Sequence, residues 1–309
     1  MAITASQVKE LREMTGAGMM DCKKALTATD GDMDKAVEWL RENGLAKAEK
    51  KSGRIAAEGM VAVDVAEDGK VASIVEVNSE TDFVAKNEKF QTYVAEVAAQ
   101  AKNTSAATLE EFMAEKWTAD DAGSVEEKLK AMIAVIGENM NIRRFEKVTT
   151  DGLLVSYIHA GGKIGVVVEA DTDSNSDAVK ECLKNVAMQV AALNPKFCSR
   201  AEVDQDYLAH ETEILTAAAK KEKPDANDKI IEGMVKGRIN KELKEICLLD
   251  QVYVKAEDGK QSVEKYVESV AKAEGVKLEI KKFVRFETGE GIEKKEEDFA
   301  AEVAAQMGQ

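Results

Sequence analysis

Hydrophobic residues recur three and four positions apart through the first 40 residues of the chain. Thr4-Ala5-Ser6-Gln7 fits a helix capping box, and Val8, Leu11 and Met14 follow on one helical face. Gly16-Ala17-Gly18 interrupts the stripe, Met19 to Leu26 predicts a second helix, and Asp30-Gly31 breaks the chain again. Met33, Ala36, Val37 and Leu40 mark a third helix, with Gly44 standing where a C-cap glycine would. Three helices this short bury little area, so marginal stability is expected unless they dock elsewhere. Lys47, Lys50, Lys51 and Arg54 continue as a basic run that reads as a solvated linker helix.

The next segment is an internal repeat. Setting Gly69-Lys70 on Gly162-Lys163 aligns residues 58–99 with 151–192 at an offset of 93 and without gaps. Gly59 falls on Gly152, Val75-Glu76 on Val168-Glu169, Glu88 on Glu181, and Val97-Ala98-Ala99 on Val190-Ala191-Ala192. Each copy opens with a β-rich hairpin, Met60–Val65 with Val71–Val77 and Leu153–Ile158 with Ile164–Glu169. A helix follows in each: Phe90, Val94 and Val97 keep helical spacing in the first, as do Leu183, Val186, Ala187 and Val190 in the second. A two-stranded hairpin is marginal alone, so each copy must complete its core with its neighbours.

Between the copies, Leu109–Trp117 and Ser124–Met140 read as helical; Ser124 and Glu127 form a second capping box. Residues 202–222 and 225–246 predict two long helices broken at Pro224. Val203, Tyr207, Ile214 and Ala218 are set to face Ile231, Val235, Ile239, Leu243 and Ile246. Two readings of this hairpin stay open: a projecting coiled-coil arm for dimerisation or partner contact, and a packed helical subdomain. Val263, Tyr266, Val267 and Val270 mark another amphipathic helix. Val276, Leu278 and Ile280, then Phe283, Val284 and Phe286, predict a strand able to join a sheet begun by the repeats. Asp298–Gln306 closes the chain as a short helix.

The fold class is therefore α+β. Its predicted parts are a helical module and linker over 1–54, core subdomain N over 55–145 and core subdomain C beginning at 146–198. A helical hairpin over 199–250, a return segment of subdomain C over 251–287 and a C-terminal helical module over 288–309 complete it.

Composition narrows the chemistry. The 309 residues carry a formal net charge of −15, which argues against affinity that rests on neutralising phosphates, so no direct nucleic-acid partner is expected. No run of about 20 apolar residues is present, so no membrane partner is expected, and the reading is a cytoplasmic protein. Cys22, Cys182, Cys198 and Cys247 are scattered and read as small buried hydrophobes. His159 and His210 lie in no metal-ligand spacing, and neither a phosphate-binding glycine loop nor a nucleophile–base arrangement is present. No metal, cofactor, small-molecule substrate or covalent catalysis is expected.

One position separates the copies. After the second strand the first reads Thr81-Asp82-Phe83-Val84, where the second reads Ser174-Asn175-Ser176-Asp177. The second copy shows that this turn can be wholly polar. Phe83 is thus either a local staple for the following helix or an exposed aromatic anchor beside an acid, suited to a partner's pocket.

These stretches also carry a resemblance. Thr15-Gly16-Ala17-Gly18-Met19-Met20-Asp21-Cys22-Lys23-Lys24-Ala25-Leu26 and Thr81-Asp82-Phe83-Val84-Ala85-Lys86-Asn87 are similar to the signature segments of the elongation factor Ts family. Ile136-Gly137-Glu138-Asn139, Arg143-Arg144 and Val284-Arg285-Phe286-x-x-Gly289-Glu290-Gly291-Ile292-Glu293-Lys294 resemble it too, and the likeness runs from about residue 2 to 305. It implies an N-terminal ubiquitin-associated-like three-helix module, a two-subdomain core, a dimerisation hairpin and a C-terminal module. It implies a translation elongation factor that acts as guanine-nucleotide exchange factor on elongation factor Tu, with a homodimer through the hairpin as a further expectation. By resemblance, Thr81, Asp82, Phe83 and Val84 would displace Mg²⁺ from the partner, and Met19, Met20, Ile136, Gly137, Asn139, His159 and Gly161 would bind it. An adaptor that binds proteins without changing their nucleotide state is the alternative, separable by a nucleotide-release assay.

Overall fold

A computed structural model describes residues 3–293, and the predicted helix Asp298–Gln306 lies outside them. The architecture is α+β, with two three-stranded sheets. The chain forms two compact units. One comprises the described parts of Met1–Ala62, Val75–Phe145 and Glu287–Gln309; the other comprises Val63–Ile74 and Glu146–Phe286.

The first unit opens with α1 (Ala5–Thr15), α2 (Met19–Ala28) and α3 (Met33–Lys51). The Thr4/Gln7 capping box forms as predicted. Val8, Leu11, Cys22, Ala25, Leu26 and Ala36 make a small separate core. The structure corrects the role of Gly44. It ends nothing: α3 runs through it to Lys51, and Gly44 is buried. A Cβ built there would stand 3.0 Å from the Cβ of Ala134, so the missing side chain lets α3 approach a second helix at backbone distance. That is the docking surface the short module needed.

β1 (Glu58–Val65) and β2 (Val71–Ser79) form the first hairpin, followed by α4 (Asp82–Ala85), α5 (Glu88–Asn103), α6 (Leu109–Ala114), α7 (Val125–Ile136) and β3 (Met140–Thr149). The sheet order is β1-β2-β3. The core behind it is built from Phe90, Val94 and Val97 of α5, Leu129 and Ile133 of α7, and Phe112 and Trp117. Each such side chain removed from water contributes about 1.5–3 kcal/mol. The predicted helix Ser124–Met140 stops at Ile136, because Gly137 caps it in the left-handed conformation (φ +91°). Met140 instead starts a strand. Met140, Ile142 and Val148 are buried along it, two residues or a multiple of two apart.

In the second unit β4 (Leu153–His159) pairs antiparallel with β5 (Ile164–Asp171), Val155 opposite Val168. α8 (Asp177–Leu193), α9 (Gln205–Glu222), α10 (Asp228–Ile246), α11 (Val263–Glu274) and β6 (Glu279–Glu287) follow. β6 joins as predicted, giving the order β4-β5-β6. Leu183, Val186, Val190, Val263 and Val267 pack against Val166, Val168 and Ile280. α9 and α10 form a hairpin with Pro224 in its turn, joined by Tyr207 donating to Glu242 at 2.5 Å. Their contact is one residue out of the predicted register. Leu215 and Ala219 pack on Ile231, Val235 and Ile239, while Ile214 and Ala218 are exposed. One residue is about 100° around a helix, enough to exchange the inward and outward sets.

The repeat is visible in backbone packing. A Cβ at Gly59 would lie 2.2 Å from the Val77 carbonyl oxygen, and one at Gly152 would lie 2.0 Å from that of Ala170. Both the glycines and their obstacles are 93 residues apart.

Candidate functional site

β2 is buried almost throughout and ends at Ser79. The Thr81 hydroxyl then accepts from the Val84 N–H at 3.3 Å and starts α4. Six residues later the Asn87 side chain accepts from the Lys89 N–H at 2.9 Å and starts α5. Two caps so close together cut out a single helical turn. Ala85 is buried in it, and Val84 packs partly against the core of this unit. With those two inward, Phe83 points out and is 80% exposed. Asp82 lies beside it, its carboxylate 2.6 Å from the Lys86 ammonium. Of the two readings of Phe83, the local staple is excluded. A phenylalanine left in water forgoes about 1.5–3 kcal/mol of burial, which a partner's pocket can recover.

The turn is held from the α7–β3 connection. The Glu138 carboxylate accepts from the Thr81 N–H at 3.0 Å and from the Thr81 hydroxyl at 2.7 Å. One residue earlier, Glu80 accepts from the Asn139 N–H at 2.5 Å and pairs with Arg54 at 3.5 Å. Asn139 is 1% exposed, and its amide donates to the Arg54 carbonyl at 2.7 Å. Lys51, the last residue of α3, donates to the Gly137 carbonyl. Partial burial, then the neighbouring Arg54, hold its ammonium below the usual lysine range. Three successive residues, Gly137, Glu138 and Asn139, thus tie the Phe83 turn and the end of α3 to one connection.

Earlier on β2 lies a buried charge cluster. Glu76 is fully buried, and its carboxylate accepts from Arg143 at 3.1 Å, Arg144 at 2.6 Å, Asn78 at 3.0 Å and the Gly289 N–H at 2.8 Å. A buried carboxylate with four donors is well compensated, and it locks β2, β3 and the segment after β6 together within this unit.

The structure gathers Thr81, Asp82, Phe83, Val84, Ile136, Gly137 and Asn139 in one region. Ile136 packs partly on the core and Asn139 faces the linker, so both support the surface, whereas Gly137 is exposed. Met19 and Met20 belong to the helical module of the same unit. They stand more than half exposed at the start of α2 while Cys22, Ala25 and Leu26 turn inward. His159 and Gly161 belong to the second unit, at the exposed β4–β5 turn, where the Tyr157 hydroxyl is 3.1 Å from His159 Nδ1. Glu138 and Glu80, which brace the Phe83 turn, are not among the site residues that the sequence singles out. Glu138 lay inside a recognised motif, but its partner is 57 positions away and no periodicity links the two.

The four cysteines are buried as predicted. Burial pushes Cys182 up to about 11 and Cys198 up to about 12, the latter with help from Glu202 and Cys247. Such thiols are poor nucleophiles at neutral pH. Among the described residues, no helix is long and apolar enough to cross a membrane.

Comparison with known proteins agrees with this geometry. The family described as Elongation factor TS matches residues 80–290, from the start of the Phe83 turn to the segment that donates to Glu76. Elongation factor Ts of Clostridioides difficile (strain 630) is 55% identical over 305 residues, covering 99% of each chain. Those of Clostridium tetani (strain Massachusetts / E88) and Clostridium novyi (strain NT) are 54% and 53% identical over 307 and 309 residues, again covering 99% of each chain. With the match reaching from end to end and including the turn that presents Phe83, the chain belongs to the elongation factor Ts family of translation elongation factors.

Proposed function

We propose that this chain is a guanine-nucleotide exchange factor: it binds elongation factor Tu carrying GDP, disturbs its Mg²⁺ site and releases the nucleotide so that GTP can enter. No covalent bond is made or broken. A protein that binds the nucleotide-free GTPase more tightly than the loaded one must weaken nucleotide binding by the same factor. The observation that carries this reading is Phe83, a large apolar ring 80% exposed on a turn clamped at both ends. Entering the GTPase, Phe83 wedges between elements of the nucleotide domain, and Asp82 engages polar groups around the metal. Without Mg²⁺ the phosphate charge is uncompensated and the nucleotide leaves.

Other contacts follow the same logic. The N-terminal helices, as a ubiquitin-associated-like module, present Met19 and Met20 to the nucleotide domain. The exposed turn at His159 and Gly161 reaches another domain of the GTPase. The α9–α10 arm, with Ile214 and Ile230 about half exposed, serves association with a second copy of this chain. All of this takes place in the cytoplasm.

The test is stopped-flow release of a fluorescent GDP analogue from elongation factor Tu at saturating factor. Burial of one phenylalanine is worth about 1.5–3 kcal/mol, so Phe83→Ala should slow release by roughly one to two decades, about 10- to 160-fold. The melting temperature should stay within about 2 °C, because the ring buries little in the free chain. An unchanged release rate removes the wedge.

A further inference from the structure

We infer that Glu138 is a positioning residue for the exchange reaction: its carboxylate fixes the turn that aims Phe83. The inference rests on the functional reading above and extends it to a residue that touches no partner in it. α4 is one turn long, and isolated helices that short do not hold in water. Its own cap supplies one bond, from the Val84 N–H to Thr81. Backbone bonds from Ala85, Lys86 and Asn87 close the turn, and what fixes its first residue against the rest of the unit comes from outside. Glu138 takes both donors of Thr81, the N–H at 3.0 Å and the hydroxyl at 2.7 Å. With its proton committed to Glu138, the Thr81 oxygen turns its lone pairs to Val84, so the external clamp also orients the internal cap. Glu138 is itself held rigidly, one residue beyond the left-handed Gly137 and one before Asn139, whose N–H is taken by Glu80. The two carboxylates cross over. Glu80 of the β2–α4 segment reaches the α7–β3 connection, and Glu138 of that connection reaches back to the next residue, Thr81.

The clamp works by geometry rather than by net charge. A glutamine at 138 keeps both links with one reversed, its carbonyl accepting from the Thr81 N–H and its amide donating to the Thr81 oxygen, whose second lone pair still accepts from Val84, whereas an alanine leaves both donors to water. Glu138 is partly exposed, so neither change strands a buried charge.

Two measurements decide the matter. In the free chain, amide hydrogen exchange across residues 81–84 should speed up about tenfold in Glu138→Ala and stay near the parental rate in Glu138→Gln. Unchanged protection in Glu138→Ala overturns the clamp whatever the chain's function. Nucleotide release from elongation factor Tu is then measured in a double-mutant cycle with Phe83→Ala. Glu138→Ala should slow release about tenfold alone, less than twofold when Phe83 is already alanine, and Glu138→Gln should restore most of the rate. Equal losses in both backgrounds would mean that Glu138 acts by another route. If Phe83→Ala slows release and Glu138→Ala does not, only the positioning role falls. If Phe83→Ala itself releases nucleotide at the parental rate, the functional reading falls and the positioning role with it.

Discussion

Phe83 and Ser176 occupy the same place in the two copies of the repeat, 93 residues apart, and the chain uses that place in opposite ways. In the second copy Ser176 is a helix cap. Its hydroxyl accepts from the Val179 N–H at 3.3 Å, α8 starts at the next residue, and Val179 goes straight into the core. In the first copy the long helix α5 starts only at Glu88, whose counterpart Glu181 is already in the second turn of α8. The residues before it form the separate turn α4. Helix content that would stabilise the scaffold has been exchanged for a single turn that displays an aromatic ring. The second copy therefore acts as an internal control: it shows what the fold requires of this segment, and the exposed ring of the first copy goes beyond that requirement.

The comparison is broken most decisively at what the copies share. Gly59 and Gly152 each face a carbonyl oxygen at a distance no Cβ can occupy. Gly59→Ala and Gly152→Ala should each cost more than about 3 kcal/mol or prevent folding, since the obstacle is backbone and not a side chain that can swing away. Urea unfolding monitored by circular dichroism reads both. One severe and one mild outcome would show that the two hairpins are not the same structure.

A second, smaller difference tests where the copies diverge. Glu76 and Glu169 are aligned, yet Glu76 is buried under two arginines while Glu169 is partly exposed and bonded to the Thr150 hydroxyl at 2.9 Å. Glu76→Ala should cost about 2–4 kcal/mol by leaving two guanidinium groups without their shared partner, moderated because both arginines keep some contact with water. Glu169→Ala should cost less than about 1 kcal/mol. Similar losses at the two positions would remove the view that the first copy carries a buried brace which the second lacks.

Most of the scaffold was legible because it follows from short-range pattern. The individual strands, the capping boxes and β6 declare themselves within windows of about ten residues, and the repeat offset follows from laying two such patterns over each other. The misreadings share a cause, which is that glycine and small apolar residues carry two meanings. Gly44 resembles a helix stop but is a point of close approach, and only the presence of Ala134 opposite it decides between them. Gly137 does stop a helix, yet the residues from it to Met140, where the strand begins, were absorbed into the helix before it, and the alternation of Ile142 and Val148 went unread. In the arm, Ile214 and Leu215 are adjacent apolar residues, so spacing alone could not choose which faced α10. The exposed ring was singled out by the comparison the repeat supplied and by the family resemblance of the segment around it. The Glu138 clamp was invisible because both its ends sit in connections, where no periodicity operates.

The mildest prediction separates stability from display at the shared position itself. Ser176→Ala removes the α8 cap and should cost about 1 kcal/mol, the usual value of a helix N-cap. Phe83→Ser installs the second copy's residue in the first and should cost less than about 0.5 kcal/mol, because an exposed ring contributes little to folding. Chemical denaturation of both variants gives the two numbers side by side. Should Phe83→Ser be the more damaging of the pair, the ring would be serving its own subdomain, and the contrast between a structural turn and a displayed one would disappear. The expected order leaves the first copy with a residue that folding does not need and that only contact with another protein explains.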